Sequence, residues 1–172
     1  MKTRESVRKG VLRFAEIAKD PEAYARRWKE TNQGPVIGFF CSYLPEEVIV
    51  AAGGLPFRIS RAGGQYSLAD GHLQAYCCSP VRGALEAALS GQLEFLDGVV
   101  FAHTCDAMQR LSDIWRLNIA SVFHLDVAVP SRLNSPGSRS FLEAVFRRYR
   151  QELEAQLGRT ISEDALSAAV KT

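Results

Sequence analysis

Positions 97–115 read Asp-Gly-Val-Val-Phe-Ala-His-Thr-Cys-Asp-Ala-Met-Gln-Arg-Leu-Ser-Asp-Ile-Trp, and this stretch decides the fold that the sequence predicts. Gly98 to Ala102 is a short apolar run after an Asp-Gly turn signal, which indicates a buried strand. From Asp106 onward, apolar residues recur at the spacing of a helix: Met108, Leu111, Ile114 and Trp115. Cys105 therefore lies where a strand ends and a helix begins, and ligands bind at that edge in open α/β sheets.

Cys41 has a similar setting. Residues 36–40 form an apolar run that ends at Cys41, which indicates a second strand. Pro45, followed by Glu46 and Glu47, then predicts a helix with proline at its first position and acidic residues in its first turn.

A third strand-to-helix turn carries two adjacent cysteines, Cys77 and Cys78. They precede Ser79 and Pro80, a capping serine followed by proline, which predicts a helix from Val81 to Leu89. If the strands are parallel neighbours, three turns face one edge of the sheet. The cysteines at that edge would then be Cys41, one of Cys77 and Cys78, and Cys105.

Composition limits the classes of function. The 21 basic and 19 acidic residues give a net charge of +2, too balanced to indicate binding to nucleic acid or to a membrane surface. The first 20 residues are charged and amphipathic without the apolar centre of a signal peptide, and no run approaches the length of a transmembrane helix. We therefore expect a cytoplasmic protein whose four cysteines are reduced or metal-bound.

Strand-like and helix-like segments alternate between residues 36 and 128, which predicts a three-layer, Rossmann-like α/β domain with a mostly parallel sheet. Its strands are the runs that begin near Val36, Leu55, Gly98 and Val122, and Pro56 favours an edge position for the second of them. The predicted division of the chain is N-terminal helices over 1–34, the α/β domain over 35–137, and C-terminal helices over 138–172.

The flanking helices have clear start and stop signals. We predict helices from Thr3 to Lys19, from Glu22 to Glu30 after Asp20-Pro21, and from Arg139 to Leu157 between a capping Ser138 and a terminating Gly158. Another helix starts at Ser162 and has barely begun when the sequence ends at Thr172. We therefore expect a fragment of a longer protein.

The cysteine spacing leaves two interpretations. Cys41 and Cys78 are 37 positions apart, and Cys78 and Cys105 are 27 apart, so no Cys-x-x-Cys zinc ribbon or ferredoxin run is present. Three thiolates without an obvious fourth ligand suit an iron-sulfur cluster with one open iron. Alternatively, each cysteine simply fills space, as buried free cysteines often do.

Candidate acid-base residues flank two of these cysteines. His103 is either a proton donor near the site or a residue that fixes the turn. Glu46 and Glu47 either perform acid-base chemistry near Cys41 or complement the dipole at a helix N-terminus.

Three blocks carry a resemblance to a known family: Cys41-Ser42-Tyr43-Leu44-Pro45-Glu46-Glu47, Cys78-Ser79-Pro80-Val81-Arg82 and His103-Thr104-Cys105-Asp106. With the segments around them, they make residues 36–172 resemble the 2-hydroxyacyl-CoA dehydratase and benzoyl-CoA reductase family. The resemblance implies a 4Fe-4S cluster held by Cys41, Cys78 and Cys105, and it leaves Cys77 without a role. It also implies that this is the N-terminal, cluster-bearing part of a subunit with a second α/β domain.

The same resemblance implies a function and partners. We expect a lyase subunit of anaerobic metabolism that removes water from an acyl-CoA through a ketyl radical. An ATP-dependent activator protein would supply one electron, and a homologous second subunit would complete a heterodimer. Three alternatives stay open: a benzoyl-CoA reductase subunit, an electron-transfer component of the double-cubane type, and a metal-free α/β scaffold.

Overall fold

An all-parallel sheet forms the centre of the computed structural model, which describes residues 4–61 and 63–171. Its strands lie in the order β2-β1-β3-β4. They are β1 (Val36–Phe39), β2 (Leu55–Arg58), β3 (Gly98–Ala102) and β4 (Phe123–Val127). The predicted α/β class and mostly parallel sheet are confirmed.

Helices cover both faces of the sheet. In chain order they are α1 (Arg4–Lys19), α2 (Pro21–Asn32), α3 (Glu47–Ala51), α4 (Ser79–Leu89), α5 (Asp106–Asn118), α6 (Ser138–Leu157) and α7 (Glu163–Val170), with a short 3₁₀ helix at Ala69–Gly71. Within the described part of the chain, none of them is both long and apolar enough to cross a membrane.

Strand side chains alternate between two cores, as the period of two in a strand requires. Val99 and Phe101 of β3 pack in one core with residues of α2, α4 and α5, whereas Val100 and Ala102 pack in the other with residues of α3 and α6. Every residue of β1 and β3 is buried, which explains why both segments are continuous apolar runs in the sequence. This arrangement is the predicted three-layer fold.

The edge position that Pro56 favours for the second strand is confirmed, because β2 lies at one end of the sheet. Gly98, at the start of β3, lies against the ring of Phe123 on β4. Atoms of the Phe123 ring lie 2.2–2.4 Å from the position that a Cβ at Gly98 would occupy. Only glycine therefore fits there without a shift of the ring.

Several helix ends match their sequence signals. The carboxylate of Asp20 accepts a hydrogen bond from the backbone N–H of Ala23 at the start of α2, and the hydroxyl of Ser162 accepts one from Ala165 at the start of α7. Gly158 ends α6 in the left-handed conformation that glycine tolerates, with φ of 62°. The predicted start at Thr3 and the end at Thr172 lie outside the described residues.

Several predicted helix starts are wrong by one or two residues, and α2, which begins at Pro21 rather than Glu22, is one of them. α3 begins at Glu47 rather than Pro45, because Glu46 is the residue that caps it and Val48 bonds back to Pro45 through a tighter turn. α4 includes Ser79, and Cys78 is its N-cap residue with extended backbone angles. Ser138 lies inside α6 because its hydroxyl donates to the carbonyl of Arg132 instead of capping the helix.

The C-terminal helices belong to the same packing unit as the sheet. Tyr149 and Leu153 of α6 are buried with Val100 of β3, and Ile161 before α7 joins the same core. The division of the chain at residue 138 stays a prediction.

Candidate functional site

The two most informative cysteines follow neighbouring strands. Cys41 comes two residues after β1 and Cys105 comes three residues after β3. Because β1 and β3 are paired in parallel, both cysteines lie at the carboxyl edge of the sheet. This is the edge at which open α/β sheets bind their ligands.

Cys78 approaches this edge from the helical layer. It is the N-cap residue of α4, the helix that connects β2 to β3. The first turns of α4 pack against the chain that leaves β2, because a Cβ at Gly83 would lie 2.7 Å from the carbonyl oxygen of Arg61. The start of α4 therefore lies on the side of the fold where the parallel strands end.

The backbone at Cys41 is unusual. Its φ of 65° is in the left-handed region, which costs a residue with a Cβ roughly 1–2 kcal/mol. Its sulfur lies 3.2 Å from the hydroxyl oxygen of Thr104, the residue before Cys105. This contact joins the end of β1 to the turn after β3.

All four cysteines are free thiols. Cys78 and Cys105 are exposed and are the N-cap residues of α4 and α5. Cys77 is half-buried, packs against the core beside α4, and has its sulfur 4.0 Å from the amide oxygen of Gln74.

Within residues 4–61 and 63–171, no group of three or more His, Cys, Asp or Glu side chains lies close enough together to hold a single metal ion. The ligand role of Cys41, Cys78 and Cys105 in a cluster therefore stays a prediction. The three settings differ: Cys41 follows a strand, Cys78 is the N-cap of a helix, and only Cys105 is both. The predicted strand before Cys77 and Cys78 is wrong, because a 3₁₀ helix at Ala69–Gly71 and irregular chain separate β2 from α4.

His103 lies beside Cys105. Both line an open cavity of about 550 Å³, whose wall also includes Tyr43 and Thr104. The His103 backbone N–H donates to the carbonyl of Val127, and its ring Nε2 lies 2.7 Å from a carboxylate oxygen of Asp126. The structure thus brings a candidate acid-base residue and a candidate ligand to one cavity.

The two glutamates are placed differently. Glu46 is exposed and makes no side-chain capping bond to a described residue of α3. Glu47 lines another cavity, which lies between α3, α6 and α7 and also contains Arg150 and Glu163. The structure does not bring Glu47 into the cavity of His103 and Cys105, and a catalytic role for either glutamate stays a prediction.

Sequence reasoning missed the side chains behind His103. The hydroxyl of Ser112 on α5 donates to Asp126 over 2.6 Å and lies 2.8 Å from Nε2 of His124. Burial lowers the pKa of His124, and the carboxylate of Asp126 opposes this only in part. The alternation His124-Leu125-Asp126 in a predicted strand was the available signal, because residues two apart in a strand share a face.

The fold and the edge cysteines together define an α/β domain built around a cysteine-bearing sheet edge. Comparison with known families then gives the class: residues 41–172 match the family described as 2-hydroxyglutaryl-CoA dehydratase, D-component. The chain belongs to this family, which confirms the resemblance found in the three sequence blocks.

Named relatives are similar across most of the chain. A benzoyl-CoA reductase subunit of Thauera aromatica is 33% identical over 150 residues, which are 86% of this chain and 39% of the relative. The beta subunit of lactoyl-CoA dehydratase from Anaerotignum propionicum is 30% identical over 90% of this chain and 41% of the relative. The (R)-phenyllactyl-CoA dehydratase beta subunit of Clostridium sporogenes is 26% identical over 92% and 42%. The chain thus spans about two fifths of the length of these relatives.

Proposed function

We propose that the chain is the cluster-bearing part of a 2-hydroxyacyl-CoA dehydratase subunit, with Cys41, Cys78 and Cys105 as the ligands of one 4Fe-4S cluster. The observation that carries the proposal is the setting of Cys41 and Cys105 after two parallel neighbouring strands, with the Cys41 sulfur 3.2 Å from Thr104. Family membership and the dehydratase subunits among the relatives support the same assignment.

The donor set fits such a cluster. Three free thiols at strand ends and helix starts supply soft ligands, and thiolates are the usual protein ligands of iron-sulfur clusters. Three protein ligands leave one iron without a cysteine. When bound, the cluster would supply one-electron chemistry and an open iron with Lewis-acid character at this edge.

The reaction that we propose is the removal of water from a 2-hydroxyacyl-CoA through a ketyl radical, after an ATP-dependent activator provides one electron. The chain's own residues would hold the cluster, orient the substrate and transfer a proton. The helix N-termini behind Cys78 and Cys105 stabilise thiolate charge. The imidazole of His103 would act on an oxygen of a substrate in the cavity of Cys105. It would either transfer a proton to or from that oxygen or orient it through a hydrogen bond.

The proposed partners are the acyl-CoA substrate, a homologous second subunit and the activator. The relatives support a second subunit, because each is named as one subunit of a reductase or a dehydratase. Glu46 and Glu47 are the weaker acid-base candidates in this proposal, because Glu47 lines a cavity other than that of His103.

A second candidate function is reduction of an aromatic acyl-CoA. The observation that favours it is the 33% identity to the benzoyl-CoA reductase subunit, which exceeds the 30% and 26% identities to the two dehydratase subunits described above. The sheet edge, the cysteines and the activator would serve both reactions, so the substrate distinguishes them.

The test uses the full-length protein with its partner subunit, purified without oxygen and activated with ATP and the activator protein. We expect turnover of 2-hydroxyacyl-CoA thioesters, and we expect acyl-CoA to change the electron paramagnetic resonance (EPR) spectrum of the reduced cluster. Reduction of benzoyl-CoA without dehydration would establish the second candidate. A cluster spectrum that no acyl-CoA changes would contradict both and indicate an electron-transfer component.

A further inference from the structure

Four polar side chains behind the cavity form one continuous hydrogen-bonded chain, here called the His103–His124 network. It consists of His103 in the turn after β3, Asp126 and His124 on β4, and Ser112 on α5. Three separate segments therefore meet in it. Only His103 was a candidate from the sequence. No step of the proposed function uses Ser112, His124 or Asp126.

The hydrogen atoms of this network can be assigned by counting donors and acceptors. An ionised Asp126 only accepts, whereas a serine hydroxyl has a single hydrogen to donate. Ser112 gives that hydrogen to Oδ1 of Asp126 over 2.6 Å, so its oxygen must accept from Nε2–H of His124 over 2.8 Å. The remaining donor to Oδ1 of Asp126 is Nε2–H of His103, at 2.7 Å.

The inner part of this network is buried. Ser112 is 2% exposed, and the ring of His124 lies 5.1 Å from that of Phe101. Burial, the main cause, lowers the pKa of His124 and so favours the neutral ring, which donates to Ser112 without adding a positive charge to the network. Asp126 thus accepts hydrogen bonds from both Ser112 and His103, so Ser112 helps to fix the carboxylate that orients His103.

We infer that Asp126 is a positioning residue that fixes His103 in the tautomer with its proton on Nε2. Nδ1 then becomes the ring nitrogen that accepts a hydrogen bond from a ligand in the cavity of Cys105. Nδ1 has no hydrogen-bond partner among the residues that the structure describes, and His103 lines that cavity. The inference deepens the proposed function, on which its role in turnover rests; the hydrogen-bond arrangement itself needs no cluster.

The experiment measures the histidine tautomers directly. The full chain, reduced and labelled with ¹⁵N in its three histidines, is examined by NMR at a pH where the rings are neutral. The variants His72→Gln and His103→Gln assign the signals. In the wild type we expect the Nε2–H form of His103 to exceed about 90% of the population, because a charge-assisted hydrogen bond to Asp126 favours it. Comparable populations of the two tautomers would overturn the inference.

Asp126→Ala provides the second measurement. The Ser112 hydroxyl and Nε2 of His103 both bond to Oδ1 of Asp126, so an asparagine oxygen could replace that acceptor, whereas alanine removes it. We expect the Nε2–H fraction of His103 to fall below the wild-type value. An unchanged fraction in a folded variant would overturn the role of Asp126.

Two controls complete the design. Asp113→Ala removes an exposed carboxylate of α5 that pairs with Arg116 outside the network, and it should leave the tautomer population of His103 as in the wild type. If Asp126→Ala fails to fold, the wild-type population still decides the inference. A missing cluster would contradict the proposed function and leave this result standing, whereas a wrong tautomer would contradict the inference and leave the cluster assignment standing.

Discussion

The sulfur of Cys41 and the hydroxyl oxygen of Thr104 lie 3.2 Å apart, although the two residues are 63 positions apart in the chain. The contact exists because Cys41 follows β1, Thr104 follows β3, and these strands are parallel neighbours. If Cys41 ligates a cluster as a thiolate, the hydroxyl must be the donor, since a thiolate has no hydrogen. Hydrogen bonds to cluster sulfurs are one of the means by which proteins set the reduction potential.

Thr104→Val should therefore lower the midpoint potential of the cluster, because the reduced, more negative state loses a stabilising donor while the side-chain shape is kept. The measurement is a redox titration of the anaerobically prepared protein followed by EPR. Thr104→Ser is the matched control, because it retains the hydroxyl and should stay near the wild-type potential. Equal potentials in all three proteins would show that the contact does not influence the cluster.

His103→Gln should leave the iron content unchanged and lower turnover of the full-length complex by about 10²-fold or more, the usual scale for a general acid or base. Glutamine retains hydrogen-bonding capacity but cannot titrate near neutral pH. Iron content and turnover are measured on the same preparation. Loss of iron would make His103 structural, and unchanged turnover would move the acid-base role to another group.

His124 should make the stability of the fold depend on pH. Burial lowers its pKa below the ordinary value of 6.5, so the unfolded chain binds a proton more readily than the folded one. The contribution of neutral His124 is therefore fully present above pH 6.5 and is lost as the pH falls toward the lowered folded pKa.

Urea unfolding at pH 8 and at pH 5.5 tests this. We expect a smaller free energy of unfolding at the lower pH in the wild type and a reduced difference between the two values in His124→Gln. His72→Gln, at an exposed position, should keep the wild-type difference. A His124→Gln variant with the full pH dependence would assign the effect to other groups.

Gly98→Ala should destabilise the fold by about 1–3 kcal/mol, the usual cost of overpacking. The added methyl would meet the Phe123 ring at 2.2–2.4 Å. Gly10→Ala is the control, because a Cβ there has no described atom within 4 Å. Phe123→Leu combined with Gly98→Ala should recover part of the lost free energy of unfolding; no recovery would mean that the ring is not the obstacle.

Much of the framework could be predicted from local signals. The apolar run before Cys41 and the Asp-Gly turn before β3 indicate strands because β1 and β3 are buried on both faces. Asp20 and Ser162 indicate helix starts because each carries the oxygen that caps its own helix.

Other features depend on contacts that local patterns do not contain. Ser79 and Ser138 are of a residue type typical of N-caps, but the residue before each of them occupies the N-cap position. The hydroxyl of Ser138 donates instead to the carbonyl of Arg132. The pairing of Ser112 with Asp126 requires the register between α5 and β4, which arises only when the sheet is assembled. This is why the sequence identified His103 but not the residues that hold it.

Iron and acid-labile sulfide content tests the central claim most directly. The protein is purified without oxygen as the wild type and as four single alanine variants at Cys41, Cys77, Cys78 and Cys105. We predict about four iron and four sulfide ions per wild-type chain, as in a 4Fe-4S cluster. Cys77→Ala should retain them, and each of the other three variants should lose most of them. A wild-type protein without iron and sulfide, or alanine variants at Cys41, Cys78 and Cys105 that keep the wild-type content, would contradict the claim.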